Sequence, residues 1–523
     1  MLTCAERTYG DRVAWDVVVV GGGSAGCALA GRLTEDPDVH VLLLEAGPAP
    51  AAPEGFPATV RDVASLAAAD PDGDHCWGFT TELMPGRTAR VGRGRLLGGS
   101  SAVNGANHVR ATPADVDGWP GWSYADALPY YVRGEDDQDH LASYHGQDGP
   151  VPVLRPAGEL LAPITERFLG AALTLGVPAE PDLNAGGPPG VGLVPANVRR
   201  GVRVNAAMAY VLPHLGRRDN LTVRGDTPVA GVVLDGDRAV GVRTVTGEVV
   251  EAGEVVLAAG SVKSPQLLAL SGIGPADALR GAGIAVRHDR PGVGRGFSDH
   301  PSVYLAFGDD DSPLHPEAVS SQAAVHLDSG ALDAGPPDVV PGDPAGDLEI
   351  LLFARPFAPG GNRHLMCALQ APESRGAITP TSPDPLAAPR IEHRYLESPS
   401  DRARMRAAVR FGGELLRAAR FAIPTPTAGD DALDAWIAAN LTTSAHLCGS
   451  AAMGPADDPD AVVDPCLRVH GIAGLRVADT SVLPVVPRRG PAATALMLGE
   501  RAADFLSART APSGSPTRAR SRS

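Results

Sequence analysis

One stretch near the start limits what this chain can become: Asp16-Val17-Val18-Val19-Val20-Gly21-Gly22-Gly23-Ser24-Ala25-Gly26. Its unbroken apolar run is predicted to be a buried parallel strand, and Cys27 to Leu33, after the glycines, a helix. Gly21, Gly23 and Gly26 have the Gly-x-Gly-x-x-Gly spacing, which supplies a tight turn, close backbone approach to a pyrophosphate and close helix–strand packing. Phosphates would lie on the helix N-terminus, where free N–H groups and the helix dipole attract anions. A second apolar run, Val39 to Leu44, ends on Glu45, placed to accept from a ribose hydroxyl. Strand, turn, helix, strand and acid together point to a dinucleotide site.

The same residues admit a second reading. Gly22-Gly23-Ser24-Ala25-Gly26 fits the Gly-x-Ser-x-Gly elbow of serine hydrolases, with Ser24 as nucleophile. That elbow would fall on the first strand, before a sheet exists to present it, and would leave Glu45 unexplained. Hydrolysis at Ser24 is therefore the minor alternative.

With 523 residues, 44% hydrophobic and 20% charged, the chain can bury a core of two or three domains. A net charge of −16 argues against nucleic-acid or anionic-membrane binding. Lys263 is the only lysine. Six scattered cysteines form no Cys-x-x-Cys pair, which fits neither a disulfide framework nor a zinc site, and no metal is expected. No signal peptide or membrane-spanning run is visible, so a cytoplasmic protein is expected, with peripheral membrane contact open.

Further along, Arg93 to Gly105 is dense in glycine and serine, as a second phosphate-cradling loop would be. Residues 161–176 have helical apolar spacing, and residues 219–260 read as four short strands, the last returning to the parallel sheet. Ser264-Pro265 is expected to start a helix. Residues 307–347 read as a loop-heavy region or lid, 402–419 as an amphipathic helix, 474–479 as a strand and the segment from about Pro491 as the closing helix.

These segments resemble, in order, the glucose–methanol–choline (GMC) oxidoreductases, flavoproteins that bind FAD. Arg93 to Asn104 looks like the first family signature and Gly260 to Pro275 like the second. Ser374-Arg375-Gly376, Asp384-Pro385 and Pro389-Arg390-Ile391 are similar to the start of the C-terminal region; His446 to Gly454, Val463-Asp464-Pro465 and Leu475 to Pro484 are similar to its closing motifs. The resemblance implies an α/β fold, α+β overall. A Rossmann-like FAD domain would be assembled from residues 12–160, 190–306 and 440–506. A substrate domain on an antiparallel sheet would come from 161–189 and 307–439, with a disordered tail at 507–523.

Carried over residue by residue, Gly21, Gly23, Ser24, Ala25 and Gly26 serve the pyrophosphate and Glu45 the adenosine ribose. Gly99, Ser100 and Asn104 lie along the pyrophosphate and flavin, Val229 at the adenine and Asp479 at the ribityl–phosphate region, and Arg95, Ala492 and Ala493 are further cofactor-binding positions. Val103 stands where some members carry the histidine that bonds FAD, so noncovalent FAD is expected. His446 is the catalytic candidate: alcohol oxidation needs a base for the hydroxyl proton while a hydride leaves the adjacent carbon for flavin N5. From the residues alone, His300 in Asp299-His300-Pro301 is as good a candidate. The family's second His or Asn falls on Ala492, which can neither donate a hydrogen bond nor move a proton. A nearby residue such as Arg488 or Arg489 substitutes, His446 works alone, or the protein binds flavin without turnover. Short motifs, His446 to Ser450 and Arg489-Gly490-Pro491, resemble the mycofactocin-associated branch. They imply reduced mycofactocin as donor, with electrons passed towards the respiratory chain; the acceptor itself is left open between a quinone, the respiratory chain and oxygen, and a dehydrogenase is favoured over an oxidase.

Overall fold

A computed structural model describes residues 8, 9, 12, 13, 15–308, 314–332, 345–357, 361–421 and 429–510. Its centre is a seven-stranded sheet. Leu221–Arg224, Val41–Leu44, Trp15–Val20 and Val249–Leu257 run side by side in parallel. The last of these strands does two jobs. Its first half pairs antiparallel with Arg238–Thr244, and its second half pairs parallel with Leu475–Val477, so the distant C-terminal segment enters the same sheet. Val18, Val19, Leu42, Leu43, Val255 and Val256 are fully buried, which is why these strands read as continuous apolar runs rather than alternating ones. The helices Ser24–Leu33 and Ala492–Thr510 pack together against this core.

A second, six-stranded sheet has the order Thr442–Thr443, Pro301–Phe307, Arg363–Leu369, Leu348–Phe353, Ser321–Leu327, Val191–Leu193. All its pairings are antiparallel. Side chains alternate between faces, and the two faces have different work. Leu348, Ile350 and Leu352 join the core beneath the helices Pro163–Thr174 and Pro399–Ala418, whereas Glu349, Leu351 and Phe353 look into a cavity. A third sheet joins the hairpin Cys76–Met84 and Arg87–Gly94 to Arg390–Glu392, Gly376–Thr379 and Arg295–Phe297.

Some elements differ from expectation. Ser321–Leu327 is a strand inside the region read as loops. Its Ala, Val and Gln are buried on both faces, so no alternation marked it. The helix expected from Ser264 starts at Gly260 and holds Pro265 in its interior. The closing helix runs to Thr510; of the expected disordered tail, 507–510 are helical and 511–523 lie outside the described residues. No described helix is long and apolar enough to cross a membrane.

Candidate active site

The glycine loop forms because each glycine sits where a side chain has no room or no protein neighbour. A Cβ on Gly26 would fall 2.0 Å from the Gly21 carbonyl oxygen. Gly99, with a positive φ of +53°, brings the second loop so close that its Cβ would lie 2.6 Å from Gly23 Cα. Gly98 N–H donates to Gly22 O at 2.7 Å, locking the two loops into one wall. Glu45 accepts from Gly22 N–H and Gly47 N–H, both at 2.9 Å, and keeps further lone pairs for a ligand. Burial raises the Glu45 pKa above the usual carboxylate range, and the Gly47, Gly22 and Ala46 N–H groups partly offset it. Asp479 accepts from Gly260 N–H and Ser264 Oγ through Oδ2 and from Ser481 N–H through Oδ1.

These pieces line a continuous cavity of about 450 Å³. It gathers most of the sequence-picked residues: Gly21, Gly23, Ser24, Ala25, Glu45, Gly99, Ser100, Asn104, Val229, Asp479, His446 and Ala492. Gly26 stands behind the loop, where it permits the turn. Two residues lie elsewhere. Arg95 stacks over Trp77 at 4.9 Å instead of lining the cavity, and the Ala493 side chain is buried in the central core. Val103 lines the cavity as a side chain with no bonding atom. Among the described residues no hydrogen bond joins Ser24 to a histidine, so the hydrolase reading lacks its base.

Lys263 also lines the cavity, a residue sequence reading left without a role. Its ammonium lies 4.3 Å from the Trp77 ring, and burial, with Arg95 nearby, brings its pKa down to about 8. At mildly alkaline pH an amine-directed acylating reagent should therefore modify this sole lysine in cofactor-free protein. Bound FAD should protect it, as peptide mass mapping would read; equal labelling with and without FAD would move the cofactor out of this cavity.

At the far end stands His446, just after Thr442–Thr443. Ala445 before it has a left-handed φ of 59°, a strained conformation that its surroundings enforce. Arg93 donates to Ala445 O, and Ala445 N–H donates to Thr443 Oγ1 at 2.8 Å. Asp299 ties the turn together: Oδ1 accepts from the main-chain N–H of His446 and of His300, and Oδ2 accepts from Thr443 Oγ1. The two histidines that sequence could not rank thus stand side by side. His300 Nδ1 is 3.0 Å from His446 Nδ1, with perpendicular rings. That contact occupies His446 Nδ1 and leaves Nε2 on the side of Gly490, whose Cβ would fall 3.4 Å from it. Burial lowers the His446 pKa, with Arg93 adding to that and Asp299 and Glu349 opposing it. Burial, then His446 itself, takes His300 down to about 3, so His300 stays neutral.

Ala492 presents only a methyl group here, and the two arginines differ. Arg488 is bound to Asp115, away from the cavity, while Arg489 is 2% exposed and buried behind Gly490. A separate cluster of metal-ligand types, Glu135, Asp137 and His145, has its charge balanced by protein: Arg110 on Glu135 and Arg155 on Asp137.

Family comparison agrees with this geometry. GMC oxidoreductase profiles match residues 15–302 and 372–499. The chain is a GMC oxidoreductase. It is 40% identical to a GMC-type oxidoreductase of the thcA 5' region of Rhodococcus erythropolis, over 94% of this chain and 98% of that one. It is 33% identical to an oxygen-dependent choline dehydrogenase of Photobacterium profundum, over 96% and 95%. Among solved structures it superposes on pyridoxine 4-oxidase from Mesorbium loti with a TM-score of 0.83 at 30% identity, covering 94% of this chain and 98% of that one. GMC oxidoreductases bind FAD, and the glycine wall, Glu45 and Asp479 fit that group.

Proposed function

We propose that this GMC oxidoreductase oxidises an alcohol to a carbonyl, with FAD as hydride acceptor and His446 as the base. One observation carries it: His446 directs an unoccupied Nε2 into the cavity that the glycine loops also line. FAD bound there supplies the atom that takes the hydride. The chain does the rest. His446 Nε2 accepts the hydroxyl proton, and neutral His300 receives a hydrogen bond from His446 Nδ1–H and fixes that tautomer. Asp299 holds both rings through their main-chain N–H groups. The N-terminal end of Ala492–Thr510, whose first residues line the cavity, offers positive potential to developing negative charge.

The pH dependence follows from the lowered His446 pKa. A base must be unprotonated, and a lowered pKa keeps it so across neutral pH. The limiting rate of anaerobic flavin reduction should be level there and fall only below the ordinary imidazole value of 6.5. An acid limb above that value would contradict the assignment. The natural donor in this proposal is reduced mycofactocin, supported by the resemblance of residues 446–450 and 489–491, and the enzyme a dehydrogenase; slow recolouring of the alcohol-bleached protein in air tests the latter.

A second reading, flavin binding without turnover, is favoured by Ala492 alone. It predicts no bleaching by any alcohol in the natural protein and a gain of bleaching in Ala492→Asn.

A further inference from the structure

The antiparallel sheet facing the cavity carries a polar row that the mechanism above does not use. Strand register sets Ser302, Ala368, Glu349 and His326 side by side across four strands. Two residues further along, the same face carries Tyr304, Met366, Leu351 and Ala324. Glu349 and His326 therefore stand at the edge of a mostly apolar wall, and both line the cavity. Ser302 sits two residues after His300, and Glu349 lies two strands away from it, roughly 10 Å at the usual strand spacing.

His326 is held between two acids. Its Nε2 is 3.2 Å from Glu349 Oε2 and its Nδ1 3.5 Å from Glu180 Oε2, which also accepts from Gly190 N–H. Glu349 makes no other hydrogen bond among the described residues, so Oε1 has no donor although the residue is only 9% exposed. Arg489 neighbours both acids electrostatically, yet its guanidinium donates to Arg488 O and its Nε to nothing. Two carboxylates thus share one imidazole, and Glu349 Oε1 is left over as an acceptor. Oε1 opens onto the cavity, and in that enclosed setting a ligand's donor is worth more than on a surface.

We propose that Glu349, oriented by His326, is a substrate subsite that receives a hydroxyl or primary ammonium group at the far end of the alcohol, about two strand spacings from the carbon being oxidised. The proposal rests on the alcohol-oxidation reading for the position of the reacting carbon. Burial raises the Glu349 pKa, but the hydrogen bond from His326 and the surrounding imidazoles outweigh that and hold it below the usual carboxylate range. The side chain is then a carboxylate at neutral pH and accepts from either donor. A quaternary ammonium has no N–H to give it.

The test uses three alcohols of one length: n-hexanol, its terminal diol and its terminal amino alcohol. Calorimetric titration of FAD-loaded His446→Ala protein reads binding apart from turnover. The diol and amino alcohol should bind about tenfold or more tighter than n-hexanol. Glu349→Leu in the same background should erase that advantage. Glu349→Gln, the same shape without charge, should keep the preference for the diol and lose most of that for the amino alcohol; loss confined to the amino alcohol identifies an ammonium group as the natural donor, loss of both a charge-assisted hydroxyl bond. Flavin content and melting temperature confirm that the variants fold, and Glu349→Gln serves if the leucine variant does not. Equal binding of all three alcohols, no binding of any, or discrimination that survives at Glu349→Leu or is untouched at Glu349→Gln would overturn the subsite. If His446→Ala protein still bleaches with these alcohols, the base assignment falls while the binding comparison stands.

Discussion

Replacing Gly23 with valine is expected to give a folded but colourless protein. Gly23 has an ordinary extended backbone, with φ of −80°, so a side chain is conformationally allowed. The nearest protein atoms to its Cβ would be Ala258 O at 3.9 Å and Gly99 Cα at 4.0 Å, normal contacts. What the side chain would enter is the cavity, at the place where a pyrophosphate backbone must approach the loop. Forcing carbon atoms into a space a ligand fills costs about 3 kcal/mol, more than a hundredfold in FAD affinity at ~1.4 kcal/mol per tenfold. The melting temperature of the cofactor-free protein should hardly move. Gly26→Val is the contrast: its Cβ collides with Gly21 O inside the protein, so both flavin content and cofactor-free stability should fall. Unchanged flavin content in Gly23→Val would show that the loop is structural only.

His446→Ala should keep its flavin and lose its chemistry. The imidazole is not part of the glycine wall, so the visible flavin band should persist in the purified variant. Reduction by a saturating alcohol should slow by about 10²–10⁴-fold, the usual range for a lost general base. His300 cannot take over the task. It is fully buried, and its pKa near 3 makes it a poor proton acceptor. His300→Ala should act through His446: a smaller loss in limiting rate, with a shifted acid limb, because His446 then has no partner to fix its tautomer. Equal rates in natural and His446→Ala proteins would remove the base from this position.

Much of this was legible in the sequence where one short stretch carries its own constraint. The run from Val17 to Val20, the glycines after it and Glu45 specify strand, turn and a buried acid locally, and the structure has the strand and the turn there with Glu45 on the cavity wall. Gly260 to Pro275 and Leu475 to Asp479 needed the family resemblance, because the contacts that place them, such as Gly260 N–H to Asp479, span some two hundred residues. The pairing of His300 with His446 was not legible. It depends on Asp299 gathering two main-chain N–H groups from segments that only the sheet edge Pro301–Thr443 brings together. Glu349 was equally hidden: in Leu348-Glu349-Ile350-Leu351-Leu352-Phe353 both faces are buried, and one charge among five apolar residues does not say which face is a core and which a cavity. The stacking of Arg95 on Trp77 was hidden for a related reason, since a contact made across a hairpin leaves no local trace.

In the proposed reaction a carbon–hydrogen bond of an alcohol breaks in this cavity while His446 takes the hydroxyl proton. Anaerobic single-turnover flavin reduction, measured with an alcohol and with the same alcohol deuterated at the carbinol carbon, tests it most directly. Bleaching should be severalfold slower with the deuterated alcohol in the natural protein, and nearly abolished with either alcohol in His446→Ala. Bleaching at one rate for both isotopologues and both proteins, or no bleaching by any alcohol, would contradict it.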